Sequence, residues 1–200
     1  MTCSTSSTDA LPVVERNPLP RIPMESREQL HAWLEENHLD HKGFWLVQWR
    51  SGTGGPTVDY EDIVAECLIF GWIDSTVQTF DEQRSGLRLT PRKPNSVWSA
   101  PNKARLARLE AAGLMRPAGI AAVEVAKANG MYTFLDDVDA LLVPDDLDGA
   151  LGGYRGVFDG FSPGRRKQAL AWVKSAKRPA TRQDRIDKIA AAAAEGRSLF

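Results

Sequence analysis

Six side chains bring acid, base, amide and indole chemistry into one stretch of the sequence: Glu66, Asp74, Arg88, Arg92, Trp98 and Asn102. Asp74 closes the run Phe70-Gly71-Trp72-Ile73-Asp74, and Arg88 and Arg92 bracket Leu89-Thr90-Pro91. Trp98 and Asn102 lie in Ser96-Val97-Trp98-Ser99-Ala100-Pro101-Asn102. A guanidinium group binds a carboxylate or phosphate through parallel hydrogen bonds, and an amide near a helix N-terminus adds donors to the same anion. Converging here, the arginines, Asn102 and Trp98 would form a small polar pocket for an anionic ligand. Glu66 would add a second carboxylate beside Asp74, and carboxylates in unequal surroundings divide general-acid and general-base roles. The plainer outcome is an ion pair between Asp74 and an arginine with the tryptophans in the core, because such networks also arise without function.

Other motifs carry less chemistry. Ser51-Gly52-Thr53-Gly54-Gly55-Pro56 lacks the Lys-Ser/Thr ending of a phosphate loop and reads as a turn. His31, His38 and His41 have Asp40 nearby but no second cluster to complete a metal set, so they read as surface histidines, partly at a helix C-terminus. Cys67 has no histidine near it in sequence and sits in the register of a small core residue. No metal and no cofactor is called for.

These residues need elements to hold them. Ser26 and Gln29 have capping-box spacing, and Leu30, Trp33 and Leu34 form an apolar stripe, predicting a helix to the vicinity of His38. Alternation from Phe44 to Trp49 predicts a strand covered on both faces, with Trp45, Val47 and Trp49 opposite Phe44 and Leu46. Asp59 can cap a second helix with Tyr60, Ile63, Val64, Cys67 and Leu68 inward, ended by Gly71 with positive φ. Residues 73–81 and 87–92 predict an antiparallel hairpin joined through Glu82-Gln83-Arg84-Ser85-Gly86. Helices follow at about 100–112 and 117–129, closed by Gly113 and Gly130. Pro163 and Thr181 start two more, with Ala169, Trp172, Val173 and Ala176 and then Ile186, Ile189, Ala190 and Ala193 inward.

Charge reverses sharply near the C-terminal end. Residues 133–161 hold seven aspartates and one basic residue, Arg155, whereas 162–188 hold nine basic residues and two aspartates. Nine cations can follow a phosphate backbone if they share a face. Here they surround most of a polar arc, so they read as a solvated face answering the neighbouring aspartates, which disfavours nucleic acid.

The 200 residues are 42% hydrophobic and 26% charged, ordinary for a globular protein, and the net charge of −1 gives no global attraction to nucleic acid or anionic membrane. Cys3 and Cys67 read as thiols in a reducing compartment. The first 25 residues lack a basic start and the apolar stretch of about 7–15 residues of a secretory signal. No window reaches the roughly 18 consecutive apolar residues of a membrane span, so the expected location is cytoplasmic.

Taken in order, Trp33-Leu34, Tyr60, Phe70 to Asp74, Thr90-Pro91-Arg92, Ser96 to Asn102, and Met115 with Pro117-Ala118-Gly119 resemble the YdeI/OmpD-associated family, whose members are also labelled bacteriocin-protection proteins. Pro144-Asp145-Asp146-Leu147, Phe161-Ser162, Arg165-Arg166, Trp172, Ala176-Lys177-Arg178 and Thr181-Arg182 with Arg185-Ile186 extend the likeness, which covers residues 26–196. Each motif alone is weak, but their ordered series is specific. The resemblance implies a bacterial protein contributing to stress or antimicrobial resistance, with no reaction attached to it. Its porin-associated name implies the envelope, from which the absence of an export signal departs.

The expected fold is α+β: a small, mainly antiparallel sheet packed by helices in the N-terminal half, then an all-helical C-terminal half ending in a helical hairpin. The expected divisions are a disordered or extended leader at 1–25, an α+β domain at 26–132 and a helical region at 133–200. The expected activity is binding of a small anionic ligand or a protein partner. The alternatives are an enzyme using Asp74, Glu66 and Arg92, or a nucleic-acid-binding module using the basic C-terminal helices.

Overall fold

Ile22, held between Arg21 and Pro23, begins the sheet in the computed structural model, which describes residues 19–200. Strand β1 (Arg21–Pro23) runs parallel to β2 (Phe44–Trp49), and Pro23, which has no N–H to donate, is tolerated because β1 is an edge. Residues 1–18 of the expected leader lie outside the described residues; the rest is extended, and its pairing makes the sheet mixed. Helix α1 (Arg27–Asn37) follows Ser26, whose side chain accepts from the Gln29 N–H while Gln29 Oε1 accepts from Glu25 N at 2.8 Å. The sheet order is β1-β2-β4-β3, with β3 (Trp72–Thr79) and β4 (Arg84–Pro91) antiparallel.

The hairpin turn is tighter than the residues 82–86 expected for it. Asp81 Oδ1 accepts from the backbone N–H groups of Gln83 and Arg84 at 2.8 and 2.7 Å, so β4 is already under way at Arg84. Gly86, expected in the turn, pairs with both Val47 and Gln78. A side chain there would put its Cβ 2.5 Å from the Phe80 ring, which stacks edge-on against Trp45 across the strand.

Helix α2 (Tyr60–Ile69) starts under Asp59, whose carboxylate accepts from Glu61 N at 2.7 Å. Ile63, Val64, Cys67 and Leu68 are buried as their register requires. Tyr60, expected inward, is 53% exposed: it is the first residue of the helix, and its hydroxyl needs a polar partner. Trp33, Phe44 and Trp72 pack ring on ring, and Trp72 Nε1 donates to His38 O at 3.2 Å.

The chain divides into two compact units, a sheet unit of residues 19–67 with 72–91 and a helical unit of 68–71 with 92–200. Leu68 to Gly71 therefore belong with the helices. Gly71 has φ +74°, and Gly119 of α4 (Pro117–Ala128) lies so close to this segment that an added Cβ would sit 2.3 Å from Ile69 O. Helix α3 (Ala100–Ala111) precedes it. Short helices α5 (Asp136–Asp139), α6 (Asp145–Leu151) and α7 (Arg155–Asp159) carry the aspartates, and α8 (Pro163–Lys174) and α9 (Pro179–Ala194) form the expected C-terminal pair. Val138, Leu147, Leu151, Phe158, Leu170, Val173, Ile186 and Ile189 fill their shared core. The fold is thus α+β, with a helical C-terminal half. No described helix is long and apolar enough to cross a membrane.

Candidate functional site

In the sheet unit the acidic residues have separate partners. Glu66, on α2, is 2% exposed at its side chain, and each oxygen is engaged: Oε1 by Arg27 Nε and Oε2 by His31 Nδ1, both at 2.7 Å. Arg27 Nη1 also holds Asp62 at 2.9 Å. The hydrogen bond to Glu66 raises the Arg27 guanidinium above its ordinary value against the opposing effect of burial, and Asp62 adds to the rise. His31, read from sequence as a surface histidine, is half-buried and touches Glu35 through Nε2 at 3.8 Å as well. An ionised carboxylate on Nδ1 fixes the tautomer that donates from that nitrogen. The signal for this cluster was present: Arg27 and His31 stand at i, i+4 on α1, Asp62 and Glu66 at i, i+4 on α2.

Asp74 Oδ2 accepts from Tyr60 Oη at 2.9 Å. Arg88 is exposed on β4, and its carbonyl accepts from Ser75 Oγ at 3.3 Å. The remaining expected residues, Arg92, Trp98 and Asn102, belong to the helical unit.

There the Arg92 guanidinium lies 4.1 Å over the buried Trp98 ring, and its Nη1 donates to Val97 O at 3.3 Å. Trp98 packs at 5.7 Å against Tyr132, whose ring in turn carries Lys103 at 5.0 Å and Lys127 at 5.4 Å. These are cation–π separations, favourable because the ring face is the negative part of its quadrupole. Lys103 pairs with Asp136, while Asn102 Oδ1 accepts from Arg105 Nη1 at 3.0 Å. The α3 N-terminus, expected to supply donors to an anion, already holds one: Asp139 Oδ2 accepts from Ala100 N at 3.2 Å. Its other oxygen takes Lys167 at 2.9 Å.

The acidic and basic stretches answer each other, as the charge reversal predicted. Arg182 grips Asp146 with Nε and Nη2 at 2.6 and 2.8 Å, Lys174 meets Asp137 at 2.5 Å, and Arg166 meets Asp159 at 2.8 Å. Arg182 holds the Asp146 carboxyl below its ordinary value. Burial pushes Asp137 upward, but the Lys174 hydrogen bond and charge, with the Val138 N–H, outweigh it and leave that carboxyl lowered. Beside Asp137, Lys174 and Arg182 lies a cleft of about 170 Å³ floored by Val138, Leu142, Pro144, Leu170 and Val173. It is smaller than the roughly 300–1,000 Å³ typical of a small-molecule site.

Comparison with known proteins finds two family matches, the first of which runs from the sheet unit into α3 and α4 of the helical unit. Residues 22–122 match the family of the domain of unknown function DUF8412. Residues 140–196 match the family described as bacteriocin-protection, YdeI or OmpD-associated. The resemblance read from the motifs is therefore matched by that family in its C-terminal part, while a separate family matches the N-terminal part. No curated protein and no solved structure matches the chain.

Proposed function

The chain belongs to the DUF8412 family and carries a bacteriocin-protection, YdeI or OmpD-associated region at 140–196, and from that premise we propose that it serves bacterial stress or antimicrobial resistance by binding a small anionic ligand. The observation that carries this reading is the packed pair of rings Trp98 and Tyr132, over which Arg92 and Lys127 are stacked at 4.1 and 5.4 Å. Cations held against ring faces lose little further freedom on meeting an anion, and a guanidinium edge binds carboxylate or phosphate with directionality. Arg92, Trp98 and Asn102 are the proposed binding core, with Lys127 beside them. Asp74, Arg88 and Glu66 belong to the sheet unit and serve it structurally in this reading.

Internal pairing of Lys167, Lys174, Arg166 and Arg182 with aspartates supports a small ligand over a nucleic acid, since those charges are already answered. A thermal-shift screen of carboxylates and phosphorylated metabolites tests the proposal. A hit should raise Tm by several degrees at saturating ligand. Lys127→Ala, at an exposed position, should weaken that shift while leaving the unliganded Tm unchanged, and Arg92→Ala should abolish it. No hit across the panel, or a hit indifferent to both substitutions, overturns the proposal.

A further inference from the structure

β3 is the outer strand of the sheet at the end opposite β1. Its residues 75–79 are exposed, and Val77 in their midst is 69% exposed. Edge strands usually carry lysine, proline or an inward charge that prevents pairing with another chain. Ser75-Thr76-Val77-Gln78-Thr79-Phe80 carries none of these. The edge has one blunting device, the register irregularity between Asp74 and Val77, which leaves 77–79 as regular ladder.

The direction of the main-chain groups follows from the turn. Phe80 N donates to Arg84 O at 3.0 Å, so the polar groups of Phe80 face β4. Facing alternates along an antiparallel ladder, so Gln78, opposite Gly86, also turns its groups to β4. Val77 and Thr79 therefore project their N–H and C=O groups from the open edge.

We propose that this edge pairs with the same edge of a second copy, antiparallel and centred on Gln78. In that register Val77 opposes the second copy's Thr79 and Thr79 opposes the second copy's Val77, each pair exchanging both main-chain hydrogen bonds. All four outward residues of the two strands are satisfied at once. The charge pattern selects a second copy as occupant: no charged residue lies within 75–80, so self-pairing opposes no like charges, and a strongly charged foreign strand would find no counter-charge. Val77, exposed in one copy, gains a threonine methyl neighbour, and Phe80 comes opposite the second copy's Thr76. Asp74 and Asp81 fall outside the paired residues.

The register makes a sharp test. Gln78 would meet its own symmetry mate at a non-hydrogen-bonded position, where Cα atoms approach to about 4.5 Å, inside the roughly 4.4–6.8 Å of a disulfide. Gln78→Cys in a Cys3→Ser background should therefore cross-link to a dimer under mild oxidation, while Thr79→Cys, facing Val77, should not. Sedimentation velocity of the otherwise unaltered chain should show a concentration-dependent monomer–dimer equilibrium. Thr79→Pro deletes only the outward N–H and should make the chain monomeric with its circular dichroism and Tm retained. Val77→Lys with Thr79→Lys should do the same by charge, should the proline disturb the strand. A chain that stays monomeric at hundreds of micromolar, with no Gln78→Cys cross-link, overturns the proposal. That includes the case in which the edge pairs only with another protein's strand. A dimer indifferent to both edge variants also overturns it, by placing the interface elsewhere.

Discussion

The sheet unit and the helical unit handle charge in opposite ways. In the sheet unit one carboxylate, Glu66, is taken out of water at 2% exposure and satisfied by the Arg27 guanidinium and the His31 ring. In the helical unit the charges stay near the surface and are spread over many pairs, such as Arg182 with Asp146 at 31% and 44% exposure. The physics of the two arrangements differs. A buried charge draws its stability from its partners and is left stranded when one is removed, whereas an exposed pair trades water for a partner at little net gain. The first therefore concentrates risk on a few residues. The second tolerates loss and sets how two oppositely charged stretches recognise each other.

Removing Arg27 should separate the two most clearly. Arg27→Met leaves Glu66 buried with only His31, and should cost about 2–3 kcal/mol in chemical denaturation, below the ~3–5 of a fully buried pair because Arg27 itself is partly exposed. A loss under about 0.5 kcal/mol would make the Glu66 cluster equivalent to a surface pair and erase the contrast.

Acid should act next most strongly, and on the helical unit. The Asp137 and Asp146 carboxyls are lowered in the folded chain, so their contribution is fully present above the ordinary value of 3.8 and is lost as the pH falls through their lower folded values. Thermal unfolding followed from pH 6 to pH 2 should show this loss, of about 1 kcal/mol from the two groups after allowance for their exposure. Asp146→Asn should cost roughly 0.5–1 kcal/mol at neutral pH and flatten the acid limb of the profile. An unchanged limb would mean that Arg182 does not hold Asp146 in solution.

The smallest effect belongs to Lys188, which meets Asp184 at i, i+4 with both side chains more than half exposed. Lys188→Ala should change stability by no more than about 0.3 kcal/mol, and 1 M salt should remove even that. A larger loss would give this pair a role that its exposure does not support.

Much of this was written locally in the chain. Ser26 and Asp59 announce their helices, Gly71 ends one, and the apolar registers of α8 and α9 place Ala169, Val173, Ile186 and Ile189 in the core. Each is legible because a cap, a positive φ or a 3.6-residue period is set by residues a few positions apart. Gly86 misled for the same reason: read locally it is a turn residue, but its use is to make room for Phe80 across the strand. The three residues of β1 carry no period at all, and only β2 makes them a strand.

For the charged residues the division is the same. Sequence alone determined that aspartates at 133–161 would face a basic stretch at 162–188, because opposite charges that close along a chain lower their energy by meeting. It also determined that Glu66 and Asp74 were acids in a setting rich in aromatics. Which cation each acid receives was decided by tertiary structure: Arg27 stands 39 residues from Glu66, and Asp139 stands 39 from the Ala100 N–H it caps. Charge attraction falls only slowly with distance and names no partner, whereas a hydrogen bond demands about 3 Å and a direction, and only the packed backbone supplies both.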